Sequence, residues 1–260
     1  MNFLLAIDSG NTRLKWALHD GLHWCRGGAI SVGEASKPER LAAEWSTLPI
    51  SRAIVSNVAD GAIIESIECA LQSLAVILTV AVSRRRQCSV INRYGEPAQL
   101  GSDRWAALIA AFNAPALDLP AASPRLVVMA GTALTVDALT NEGEFLGGII
   151  LPGPELMRTA LNWGTARLPA ERGEYQMFPS NTLNAISTGV VEACAGAIMR
   201  MHAHLTARVG FAPICVLSGG AGELLIPHLN ALSISLHFNE NLVLDGLLAI
   251  SNEMISRKDS

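Results

Sequence analysis

A strand, a glycine turn and a returning strand occur twice in this chain, and that repetition limits what it can fold into. Residues 3–7 are a continuous apolar run, the pattern of a strand covered on both faces. Asp8, Ser9, Gly10, Asn11 and Thr12 have turn composition. Beyond them Leu14, Trp16 and Leu18 alternate with Arg13, Lys15 and Ala17, the period of a half-buried strand. In the second half Leu126, Val127 and Val128 lead into Met129, Ala130, Gly131, Thr132 and Ala133, and Leu134 to Asp137 run out again. Aligning Gly10 with Gly131 sets Asn11 against Thr132 and Asp8 against Met129. One such hairpin is a weak signal, but two at matching places in similar halves point to an internal duplication.

The intervening chain alternates between strand and helix patterns. Strands are predicted near Ile54–Val55 and over 76–82, with a helix over 65–74 between them. From Trp105 onward Leu108, Ile109 and Phe112 keep helical spacing. After the second hairpin come residues 147–151 and then Pro152-Gly153-Pro154, a turn with proline placed to open a helix. A long helix rich in small residues is predicted over 183–205, a strand over 214–217, a glycine turn over 218–222 and a closing helix over 241–254. The expectation is an α/β protein of two similar lobes with mixed sheets and a cleft between them. The divide is placed in the loop 113–125, which carries three prolines, giving lobes 1–118 and 119–260. A chain of 260 residues suits two domains of ordinary size.

Charge and cysteine usage narrow the function classes. A net charge of −4 argues against a dedicated nucleic-acid surface. Arg84-Arg85-Arg86 is the only basic run, and it reads as a solvated surface turn. The five cysteines are scattered and odd in number, which fits neither a disulfide framework nor a zinc site and suits a reducing cytosol. No basic stretch precedes residues 3–7, so they do not read as a signal peptide. The longest apolar stretch, 74–82, falls short of the roughly 20 residues that span a bilayer. A cytoplasmic protein without membrane or nucleic-acid partners is expected.

Two segments could carry chemistry. In the first turn Gly10 lets the backbone approach a ligand, Asn11 and Thr12 add donors, and Lys15 could reach an anion. Asp8 at the strand end could hold Mg²⁺ directly or through water. An ordinary hairpin made by its Asp and Asn is the competing reading. Gly101-Ser102-Asp103-Arg104 opens the helix from Trp105. Asp103 could accept the proton of an attacking hydroxyl while Arg104 binds an acidic group or the transferring phosphoryl. The competing reading makes Ser102 an N-cap and Asp103 a first-turn acid favoured by the helix dipole, which would keep its pKa low. There is no G-x-x-x-x-G-K-[ST] and no G-x-G-x-x-G after a strand. His202 and His204, two apart on a predicted helix, point to different faces and read as structural or surface residues.

Taken in order, residues 8–15, 101–105, 131–137, 147–153, Asn181-Thr182 and 242–247 resemble type III pantothenate kinases, within the acetate-kinase, sugar-kinase, Hsp70 and actin superfamily. The resemblance spans nearly the whole chain. It implies two ribonuclease H-like lobes and ATP-dependent phosphorylation of pantothenate to 4′-phosphopantothenate, a step in coenzyme A synthesis. It also implies that Asp8, Ser9, Gly10, Asn11, Thr12, Arg13, Leu14 and Lys15 form the first phosphate loop and that Thr132 contacts ATP from the second. Asp103 would be the proton acceptor, and Tyr94, Gly101, Ser102, Arg104 and Thr182 would line the pantothenate site, Thr182 from the neighbouring subunit of a homodimer. The family pattern has an aspartate three residues before the threonine of the second turn, as a ligand for required K⁺ or NH₄⁺. Met129 stands there. A thioether is a poor ligand for a hard cation, so the monovalent site is expected to be lost or rebuilt. Two other functions compete: a kinase for another small hydroxyl compound such as a sugar, and a nucleotide-binding regulator of the Bvg accessory factor kind.

Overall fold

Strand β1 (Leu4–Ser9) is buried along almost its whole length, because helices cover both faces of the sheet it centres. The computed structural model describes residues 3–113, 123–164 and 171–257. The chain divides into two units, 1–114 with 241–260, and 115–240.

In the first unit β1 is followed by β2 (Arg13–His19) and β3 (Trp24–Ser31), then helices α1 (Val32–Ala35) and α2 (Pro38–Trp45) and strand β4 (Arg52–Asn57). Helix α3 (Gly61–Ser73) and strand β5 (Leu78–Val80) come next, then the small hairpin β6 (Arg86–Gln87) and β7 (Val90–Asn92), and helix α4 (Ser102–Asn113). The sheet order is β3-β2-β1-β4-β5. β2 runs antiparallel to β1 and pairs Lys15 with Asp8, while β4 runs parallel and pairs Ser56 with Asp8. Leu5, Ile7, Leu14, Trp16 and Leu18 form one core with Leu41, Trp45, Ile63, Ile67 and Leu71 of α2 and α3. The alternation along β2 thus reports the core face as the sequence indicated.

The second unit repeats this plan. It contains β8 (Arg125–Ala130), β9 (Ala133–Leu139), β10 (Glu144–Pro152), α5 (Pro154–Gly164), α6 (Thr182–Val209), β11 (Ile214–Ser218), α7 (Gly222–Ala231) and β12 (Leu236–Phe238). Its strands run in the order β12-β11-β8-β9-β10. β8 is antiparallel to β9 and parallel to β11, as β1 is to β2 and β4. The duplication read from the two hairpins therefore extends through the whole sheet. One difference is local: Gly10 N–H donates to Arg13 O in the first hairpin, whereas Gly131 N–H donates to Ala133 O in the second, a turn one residue shorter.

Helix α6 is capped by Asn181, whose side chain accepts from Asn184 N–H, and ends at Gly210 with φ of 90°. By length and composition it could cross a bilayer. Its buried residues, among them Cys194, Ala195, Ile198 and Leu205, instead belong to the core beneath β8 and β9.

The last helix, α8 (Leu242–Ser256), corrects the lobe assignment 119–260, because it packs on α4 and β1 in the first unit. A Cβ at Gly246 would lie 1.9 Å from Ala106 O, so glycine is what allows the two helices to approach so closely. The expected divide at 118/119 itself lies outside the described residues.

Candidate active site

Asp8 stands at the end of β1 between Lys15 on β2 and Ser56 on β4. Burial, and next the carboxylate of Asp103, push its carboxyl from the usual 3.8 up to about 7, against the opposing charge of Lys15. Asp8 and Asp103 are thus near enough for their charges to interact. The residues on either side divide sharply. Asn11, Thr12 and Arg13 are exposed on the turn, whereas Ser9 and Leu14 are fully buried. Leu14 belongs to the core, and the Ser9 hydroxyl is enclosed without a hydrogen-bond partner among the described residues. Neither side chain is open to solvent.

Asp103 lies in the first turn of α4. Ser102 is not the N-cap: the helix already includes it, and Trp105 N–H donates to Gly101 O. Its hydroxyl lies 2.8 Å from that of Ser56, which ties the start of α4 to the strand beside Asp8. A Cβ on residue 101 would come 2.5 Å from Asp103 Oδ1, so Gly101 makes the space that the carboxylate occupies. The expectation of a low pKa at Asp103 fails for a physical reason. Burial raises it, and the Arg104 amide, donating to Oδ1 at 2.7 Å, with the Arg104 charge, offsets only part of that.

Arg104 is 5% exposed, and its Nη2 donates to the Tyr94 hydroxyl at 3.4 Å. The structure therefore groups Tyr94, Gly101, Ser102, Asp103 and Arg104 in one unit, close to Asp8 and Lys15. A guanidinium and a phenol beside a buried carboxylate can bind an anionic group and hold a hydroxyl near a proton acceptor.

Thr132 lies in the second unit on the exposed turn between β8 and β9, and its carbonyl accepts from Gly153 N–H at 2.8 Å. A Cβ at Gly153 would meet Gly131 O at 2.0 Å, and one at Gly219 would meet Ala130 O at 2.4 Å. Two further glycine turns therefore close directly on the second hairpin, a role that the sequence analysis did not give them. Next to them is a cavity of about 260 Å³ lined by Pro154, Arg158, Tyr175, Gly220, Ala221 and Leu224, among others. Thr182, at the exposed start of α6, is also in this unit.

Met129 is partly buried on β8, paired with Thr135 on β9 and Ser218 on β11. The Thr135 hydroxyl is buried without a hydrogen-bond partner among the described residues. Two hydroxyls and a thioether, with no carboxylate among these three residues, make a poor site for a hard monovalent cation. No group of three or more His, Cys, Asp or Glu side chains that could hold a metal occurs among the described residues.

Comparison with known proteins follows the same lines. A family model described as type III pantothenate kinase matches residues 4–204. A protein of that name from Nitrosospira multiformis is 45% identical over 251 residues, covering 96% of this chain and 91% of its own. Among solved structures, a conserved Baf family protein from Campylobacter jejuni, assigned as a transcriptional activator, superposes with a TM-score of 0.59 at 20% identity, covering 97% of this chain and 99% of its own. Acetate kinase from Entamoeba histolytica superposes with a TM-score of 0.53 at 10% identity, covering 98% and 100%. At these identities the structural likeness shows the fold alone.

Proposed function

The chain belongs to the type III pantothenate kinase family, and we propose how its residues share the work of that family's reaction. The protein is a kinase that uses ATP to phosphorylate pantothenate in coenzyme A biosynthesis. The assignment of roles rests above all on the interacting carboxylates of Asp8 and Asp103, with Arg104 and Tyr94 in the same unit.

In this reading the phosphates of ATP take the side chains of Asn11, Thr12, Arg13 and Lys15, on a turn whose course Ser9, Gly10 and Leu14 set, with Thr132 as a further contact. Arg104 and Tyr94 hold the carboxylate end of pantothenate, Gly101 and Ser102 shape its site, and Thr182 reaches it from the neighbouring subunit of a homodimer. Asp103 holds the primary hydroxyl. Phosphoryl transfer is largely dissociative, so fixing the hydroxyl in line contributes more than strong basicity. The hydroxyl oxygen bonds to the γ-phosphorus as the bond to the bridging oxygen breaks; the electron pair leaves with ADP, and the proton passes to Asp103. The raised pKa makes Asp103 a better proton acceptor than an exposed carboxylate.

Magnesium, entering with ATP, would neutralise charge on the β- and γ-phosphates. Asp8 fits it: a hard carboxylate oxygen donor whose negative charge is poorly compensated in this position. The monovalent cation expected from the family does not fit at Met129, and no step is assigned to it. Turnover is expected to be the same in K⁺ and in Na⁺; activity that vanishes without K⁺ would contradict this.

A homodimer is supported by apolar side chains on α5 and on the segment leading into α6, where Trp163 is 79%, Met177 75% and Phe178 87% exposed. Light scattering is expected to give twice the chain mass, and Phe178→Asp to give a monomer. A cytoplasmic location is supported by five cysteines, all unpaired.

The acceptor reading is tested by ADP release with pantothenate and with pantothenol, which replaces the carboxylate by an alcohol. Pantothenate is expected to be strongly preferred, and Arg104→Gln to remove the preference. Equal use of both acceptors, or turnover of sugars instead, would sink the assignment of Arg104.

A further inference from the structure

The basic run Arg84-Arg85-Arg86 reads from sequence as a solvated turn, and all three residues are exposed. Arg85 nonetheless has a fixed occupation. Its Nη1 donates to Asn92 O at 2.8 Å and to Tyr94 O at 2.7 Å, and its Nη2 donates to Gly95 O at 2.7 Å. Three carbonyls within four residues thus converge on one guanidinium, and they bracket the residue whose hydroxyl meets Arg104.

The surrounding contacts show that this loop is built rather than merely ordered. Asn92 is fully buried; its Oδ1 accepts from Tyr94 N–H at 3.0 Å, its Nδ2 donates to Pro97 O at 3.2 Å, and its own N–H donates to Arg85 O at 3.0 Å. Ser83 Oγ donates to Leu100 O at 2.7 Å and closes the base of the loop. At the far tip Glu253 accepts from Cys88 N–H at 2.9 Å, and Asn113 Nδ2 donates to Cys88 O at 2.7 Å. The tip and the base are therefore anchored independently of Arg85. At Tyr94, where Asn92 holds the backbone N–H, Arg85 adds the hold on the carbonyl, and it extends that hold to the carbonyl of Gly95.

We propose that Arg85 is a positioning residue for acceptor binding: it clamps the backbone of residues 92–95 so that the Tyr94 hydroxyl is held against Arg104. It touches no substrate and acts through Tyr94. The inference rests on the reading of Tyr94 and Arg104 as the acceptor-carboxylate site. A guanidinium suits this task because its planar fork reaches several acceptors at once, whereas an ammonium is a single point that cannot span all three carbonyls. Because the clamp acts on ground-state and transition-state binding of the acceptor alike, its loss appears in KM for pantothenate.

The test measures KM for pantothenate, KM for ATP and kcat for Arg85→Ala, Arg85→Lys, Tyr94→Phe and the double variant Arg85→Ala/Tyr94→Phe, with thermal melting of each. Arg85→Ala is expected to raise KM for pantothenate about 10-fold with KM for ATP unchanged and kcat within about twofold. Arg85→Lys is expected to lie between it and the parent, because one or two of the three bonds survive. The double variant is expected to be little worse than the worse of the two single ones, since Arg85 acts through Tyr94. If Tyr94→Phe leaves KM for pantothenate unchanged, the acceptor-site reading fails and takes this inference with it. If Tyr94→Phe raises that KM and Arg85→Ala does not, the site stands and the clamp is refuted. Parallel losses in both KM values and in melting temperature would mark Arg85 as merely structural and would also overturn the proposal.

Discussion

Asp8→Asn is expected to make the protein more stable and inactive, and the stability gain should depend on pH in a defined sense. The Asp8 carboxyl is held at about 7 in the folded chain against 3.8 ordinarily, so between these values the folded state binds more protons than the unfolded one. Stability contributed by this group is therefore greatest below 3.8 and is lost as pH rises toward 7. A shift of about three units at about 1.36 kcal/mol each puts the cost of the ionised carboxylate near 4 kcal/mol at pH 8. Asp8 as a residue is only partly buried, which brings the expected gain for the asparagine variant to about 2–4 kcal/mol at pH 8. At pH 5 most of the cost has gone, and a gain of about 1–1.5 kcal/mol remains. Thermal melting of the parent and the variant at the two pH values, in buffer without magnesium or nucleotide, reads this directly. At about 2–4 °C per kcal/mol, the pH 8 difference should exceed the pH 5 difference by several degrees. A variant no more stable than the parent at pH 8, or a gain that does not shrink at pH 5, would refute the reasoning. Such a gain without turnover would show that the site sacrifices stability to hold two carboxylates together.

Three other outcomes follow from the same geometry. Gly101→Ala would push a Cβ into the space of Asp103 Oδ1, 2.5 Å away, and is expected to lower kcat about 10- to 100-fold while leaving the melting temperature nearly unchanged. Gly246→Val would drive a side chain against Ala106 O and is expected to cost about 2–4 kcal/mol in urea unfolding, most of it lost packing between α4 and α8. Because burial raises the Asp103 pKa and its ionised form must accept the proton, kcat/KM should fall on the acid side at a pH above the usual carboxylate range; a limb at 4 or below would contradict the burial argument.

The duplicated sheet was legible because its signals are local: a glycine turn flanked by runs of period two, twice over. Helix α4 was legible from its apolar spacing, and α6 from a long run rich in small residues. The small elements were not. β3 is an edge strand whose residues are mostly exposed, so it shows no alternation to read. The allegiance of α8 was invisible because it depends on Ala106 meeting Gly246, two residues far apart in sequence that nothing local connects. Within the site, the types of Asp8, Asp103 and Arg104 suggested chemistry, but a helix-start rule predicted the wrong sign for the Asp103 pKa, since burial is a tertiary quantity. Tyr94 and Thr182 came from family resemblance rather than from their own spacing. Arg85 is exposed, as composition indicated, but only the fold brings its three carbonyl partners together.

The most direct measurement of the central claim is pantothenate-dependent ADP release by the purified protein with ATP and Mg²⁺, beside Asp103→Asn. The parent is expected to turn over, and the variant, still folded and still binding ATP, to lose at least about 100-fold in kcat. Turnover preserved in the variant would remove Asp103 from the proton path. A folded parent that binds ATP and releases no ADP with pantothenate would contradict the account of this chain as a working kinase.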